Sequence, residues 1–95
     1  MLTYKAMYIF LDEGGVHGEV LDFPGAISSG ADLEEARRMV ASALVDMAET
    51  NLILGEPLPQ PDPAITDPEA DLEEPIYLFL TAASQVALVP QGTAP

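Results

Sequence analysis

The chain has 95 residues, 48% of them hydrophobic, with sixteen acidic residues against three basic ones and a net charge of −13. That is enough for one small domain with its own core, and too apolar for a disordered tail. The absence of cysteine excludes disulfides, thiolate metal sites and cysteine nucleophiles, and the charge opposes binding to a phosphate backbone or an anionic membrane leaflet.

The charge is also uneven along the chain. Lys5, Arg37 and Arg38 are the only basic residues, and none occurs from Met39 to Pro95. Such a surface attracts a basic protein and speeds encounter with it, besides keeping a small domain in solution. Met1 to Lys5 run straight into a strand pattern without a signal-peptide profile, and no apolar run approaches the roughly 18 residues of a membrane span. A soluble, cytoplasmic protein without membrane contact is expected.

Leu2 to Leu11 predicts a first strand, rich in Tyr, Ile, Phe and Met. Tyr4, Ala6, Tyr8 and Phe10 share one face; Lys5, Met7, Ile9 and Leu11 share the other. Both faces are largely apolar, which predicts a central strand covered on each side. Asp12-Glu13-Gly14-Gly15 predicts a tight hairpin. Val16 to Asp22 follows as strand two, with Val16, Gly18 and Val20 opposite His17, Glu19 and Leu21. Phe23-Pro24-Gly25 turns the chain, and Ala26 to Ser29 forms a short third strand ended by Gly30.

The helix is the clearest element. Asp32 is a good N-cap, with Glu35 three residues on in a capping-box pattern. Leu33, Ala36, Val40, Ala43, Leu44 and Met47 recur at helical spacing as one apolar stripe. Met47 reads as core filling, and Arg38 reaches Glu34 one turn back. Gly55 and Pro57 stop the helix. Glu56 to Pro75 carries six prolines and seven acidic residues, which predicts an extended linker. Ile76 to Thr81 predicts the last strand, buried on both faces or paired with another chain. Residues 82–95 read as an arm or tail.

The order strand, strand, strand, helix, strand predicts a two-layer α+β unit: a three-stranded meander, a helix and a returning fourth strand. One helix covers only one sheet face. Little chain is left over for the other, so self-association or a partner is expected to cover it.

Leu21-Asp22-Phe23-Pro24-Gly25, followed by Gly30-Ala31-Asp32-Leu33-Glu34-Glu35-Ala36, resembles the HicB antitoxin family. In that family a strand ends in a P-D-x-P-G-like turn, and a short strand and a glycine lead into a capped helix opening L-E-E-A. Ala41-Ser42-Ala43-Leu44 resembles its mid-helix A-x-x-A-L stretch. The proline-punctuated exit from Gly55 to Pro61 and the Gly14-Gly15 hairpin are similar too. The resemblance implies a partial ribonuclease-H-like fold over residues 1–81, without nuclease activity. It implies a partner as well, a small basic ribonuclease toxin of the HicA type. Two departures stand out. Ala26 occupies a position where the family often has cysteine, and the residues after Thr81, none basic, do not make the DNA-binding module that many members add.

Catalytic readings are weak. Ribonuclease-H-like nucleases hold two metal ions with carboxylates. Asp12, Glu19, Asp22 and Glu49 are the candidates here, but no spacing selects them and almost no cation is present to bind substrate. His17 is the only histidine, and Ser28, Ser29, Ser42 and Ser84 have no base beside them in sequence. No catalytic residue, metal or cofactor is expected. The expected role is a protein-binding module that neutralises a basic toxin by masking it. Glu19, Asp22 and Phe23 near the turn, with Asp71, Glu73 and Glu74 before the last strand, are the expected partner-binding residues. The second expectation is a solitary HicB-like domain, acting as a homo-oligomeric scaffold or ligand binder.

Overall fold

The computed structural model describes residues 1–79. Its elements are β1 (Leu2–Phe10), β2 (Val16–Val20), β3 (Ile27–Gly30), α1 (Leu33–Leu54) and β4 (Leu72–Leu78). The four strands form one antiparallel sheet in the order β3-β2-β1-β4, with α1 packed on one face. The chain is thus an α+β unit with the expected element order, and β1 is central. The predicted end of the last strand at Thr81 and the predicted arm over 82–95 lie outside the described residues.

The alternation of β1 and β2 sets which face is the core. Tyr4, Ala6 and Tyr8 of β1 and Val16 and Val20 of β2 are buried beneath the helix. The helix presents Ala36, Val40, Leu44 and Ala48, four residues apart each time. Ala48 joins the core one residue beyond the predicted stripe, Ala43 of that stripe is only half-buried, and Leu33 and Met47 pack at the margins. Gly18 lets the helix come close. A Cβ there would stand 2.5 Å from Val40 Cγ2 and 3.0 Å from the Tyr8 ring. At Gly30 a Cβ would run into the backbone of Glu35 and Ala36, so the start of α1 lies directly on the end of β3.

Both helix ends are closed by their own sequence. Asp32 Oδ1 accepts the Glu35 amide at 2.8 Å, and Glu35 Oε1 reaches back to the Ala31 amide at 2.7 Å. The return bond lands one residue before the cap, a shifted capping box. At the other end Gly55 adopts φ 72°, its amide meets Leu52 O, and the Glu56 amide meets Asn51 O. These two bonds make a Schellman motif, which needs glycine at the left-handed position.

One expectation about the segment after the helix is corrected. The last strand starts at Leu72, not Ile76, and takes Pro75 inside it. The reason is the edge position of β4. Pro75 lies across from Lys5, whose N–H and C=O both point the other way, to Asp22 and Leu21. The backbone nitrogen of Pro75 therefore points outward, where a missing N–H costs no ladder bond.

Residues 56–71 of the expected extended linker form a strap that is hydrogen-bonded to the sheet. Tyr4 Oη donates to Pro59 O at 2.7 Å, and the Asp62 amide donates to Asp22 Oδ2 at 2.9 Å. Lys5 Nζ then donates to Pro63 O and Ile65 O at 3.2 and 2.6 Å. Thr66 and Asp67 bond to Glu73, which sits across from Met7 on the face away from the helix. Met7 is only 1% exposed there. The strap thus covers part of the face that had been expected to need a second molecule. Ile27, on the same face, is 50% exposed, and Tyr77 on the edge strand is 51% exposed.

Candidate functional site

Of the acidic residues singled out from the sequence, Glu19, Asp22 and Glu73 lie on the face crossed by the strap. A cleft of about 480 Å³ opens there between the strap and the β1–β4 pair. Pro61, Pro63 and Pro75 wall it, with Thr3, Lys5, Asp22, Asp62, Glu73 and Glu74 among the remaining lining residues. Sequence reading had no route to this cleft, because it brings positions 3–5 against positions 61–63 and 73–75 through sheet pairing and the strap.

The expected partner-binding residues do different things. Asp22 is 7% exposed, and its two carboxylate oxygens accept the Lys5 and Asp62 amides. It is a tie between β1 and the strap. Phe23 is 1% exposed and meets Tyr4 edge-on, with ring centroids 5.3 Å apart. Its turn position suggested a surface ring; packing instead places it in the core, where a partner does not reach it. Asp71 accepts the Phe10 amide at 2.7 Å and otherwise stands exposed at the start of β4.

Glu73 faces the strap. Its Oε2 accepts the Thr66 hydroxyl at 2.6 Å and the Asp67 amide at 2.9 Å, and its Oε1 lies 3.7 Å from Lys5 Nζ. The Thr66 hydroxyl first, then the Asp67 amide, hold its carboxyl below the ordinary carboxylate range, because both bond the ionised form. Glu74 points to the helix side and takes a two-pronged bond from Arg37, at 2.7 Å from Nε and 2.9 Å from Nη2. Burial, and then the Glu74 charge, push the neighbouring Tyr8 hydroxyl upward.

Glu19 lies on the strap-side face of β2, where its carboxylate is 3.1 Å from His17 Nε2. Ser29 stands directly across from His17 in the β2–β3 register. The fold thus gives this serine a base as a neighbour, which the sequence had not suggested. No hydrogen bond joins the two among the described residues. Among the described residues, no group of three or more His, Asp or Glu side chains is placed to hold a metal ion.

The three cations are all engaged within the chain. Lys5 serves the strap and Glu73, Arg37 serves Glu74, and Arg38 lies 3.7 Å from Glu34 and 4.0 Å from Glu35 on its own helix. Each cation is matched by at least one carboxylate, so the excess of thirteen negative charges is met by no free basic side chain. No helix among the described residues is long and apolar enough to cross a membrane. No protein-family model matches the chain, and no curated protein does.

Proposed function

We propose that this chain is a protein-binding module that captures a small basic protein, in the manner of an antitoxin masking a HicA-type ribonuclease. The observation that carries the reading is the complete internal use of Lys5, Arg37 and Arg38, which leaves a surface of uncompensated carboxylates. Such a surface repels phosphates and steers a basic protein inward. The HicB-like turn and helix opening, Asp22 to Gly25 and Asp32 to Ala36, support the same direction and a partial ribonuclease-H-like fold. The role is binding in the cytoplasm and not catalysis. The contact surface draws on Glu19, Asp71 and the rim of the cleft; Asp22 and Phe23 contribute by holding that surface in shape.

A second reading is favoured by the two sheet edges. Ile27 on β3 and Tyr77 on β4 are half exposed, and each lies on a strand with one side unpaired among the described residues. A homo-oligomeric scaffold would cover them, though each added copy brings a further charge of −13.

Co-expression with the product of a small basic reading frame beside this gene tests the first reading. The untagged neighbour is expected to co-purify and to lose its ribonuclease activity in the complex. A basic neighbour that is expressed and never binds sinks it. A monomeric mass by light scattering at micromolar concentration sinks the second reading.

A further inference from the structure

We infer that the cleft between the strap and the β1–β4 pair receives an arginine side chain of the basic partner. This rests on the capture reading above and gives it a contact point. A volume of about 480 Å³ falls within the range of pockets that hold small ligands. Three proline rings, from Pro61, Pro63 and Pro75, supply apolar walls. Asp22, Asp62 and Glu73 supply negative charge against one cation, Lys5, whose ammonium is already bonded to Pro63 O and Ile65 O.

Two of these carboxylates keep an oxygen for a ligand. Asp62 Oδ1 holds the Ala64 amide at 3.1 Å, and among the described residues nothing donates to its Oδ2. Glu73 commits Oε2 to Thr66 and Asp67, while among the described residues Oε1 has only Lys5 at 3.7 Å. A guanidinium matches this arrangement. Its planar fork donates to carboxylates, its flat face and aliphatic stem lie against apolar walls, and it stays charged at every working pH. A neutral apolar side chain would leave the acceptors unpaired, and an anionic one would be repelled.

The test is an amide-resolved NMR titration of the full chain with N-acetyl-arginine amide, with the uncharged N-acetyl-citrulline amide as control. Saturable shifts are expected at the amides of Lys5, Asp62 and Ala64, which bond the cleft carboxylates, and not with the citrulline probe. Asp62→Asn, whose side-chain oxygen still caps Ala64, is expected to weaken the arginine probe about threefold. Thr3→Trp, which fills the mouth from an exposed position, is expected to abolish the localised shifts. Shifts spread evenly over Glu13, Asp46 and Glu69, or equal responses to the two probes, overturn the proposal. The basic neighbour separates the two readings. If it binds wild type and Thr3→Trp equally, the cleft is wrong and capture stands. If it binds neither, capture fails, and the titration alone decides whether the cleft takes a guanidinium.

Discussion

Asp22 receives the backbone amide of Asp62, forty residues away, at 2.9 Å on one carboxylate oxygen, while the other holds the Lys5 amide at 2.8 Å. One buried side chain therefore fastens the strap to the central strand. Asp22→Ala is expected to cost about 2–4 kcal/mol, since it removes two charge-assisted bonds and strands a shielded amide. Asp22→Asn is expected to recover only part of this, because its NH2 group confronts an N–H donor. Urea denaturation gives the stability. Hydrogen exchange at the Asp62 amide shows whether the strap has loosened, and unchanged protection there would mean that Asp22 is not the fastening.

Gly18 sets how near α1 lies to the sheet. Gly18→Ala is expected to destabilise by about 1–3 kcal/mol through overpacking against Val40 and Tyr8. Adding Val40→Ala is expected to restore part of that loss, so that the double variant is more stable than the sum of the single effects. Strict additivity in a double-mutant cycle would show that the two do not meet.

Phe23 tests its placement in the core. Phe23→Ala is expected to cost about 3–5 kcal/mol, from lost burial and the lost edge-on contact with Tyr4. A cost below about 1 kcal/mol would return this ring to the surface.

Glu73 gives a dependence on pH with a definite sign. Its folded-state value lies below the ordinary one, so its contribution is complete above the unfolded value, about 4.3, and is lost as pH falls through the folded value. Glu73→Gln is therefore expected to be less stable than wild type at pH 7, with the gap closing on acidification towards pH 3. Thermal melts of both proteins across that range provide the check. A gap that stays constant would show that the ionised carboxylate is not what holds Thr66 and Asp67.

Net charge makes a separate prediction about salt. Thirteen uncompensated negative charges repel one another, and salt screens them. Raising sodium chloride from about 0.01 M to about 0.5 M is expected to raise the melting temperature, because relief of this repulsion outweighs the weakening of the Arg37–Glu74 and Arg38–Glu34 pairs. A fall in melting temperature would mean that the few ion pairs dominate.

Local chemistry was legible wherever its cause was local. The alternation in β1 and β2, the glycine hairpin, the Asp32 cap and the Gly55 stop depend on neighbours within about one turn, and each stands where the residues placed it. Pro75 misled because a proline reads as a breaker until the strand is known to be an edge. Five of the six expected binding residues are carboxylates, and Phe23 stands at a turn. Charge and nearness to a turn do not separate a half-buried Glu19 from an Asp22 whose two oxygens are occupied by backbone amides.

By itself the amino-acid order determined the element sequence, which residues of the first two strands share a face, and the surplus of negative charge. The tertiary structure alone decided that residues 56–71 fold back as a strap, that Phe23 lies inside, and that a proline-walled cleft forms beside Lys5. The physical reason is range. Periodicity and capping act between residues a few positions apart, whereas the bonds from Asp22 to Asp62 and from Lys5 to Ile65 span 40 and 60 positions and exist only once the sheet has brought their ends together.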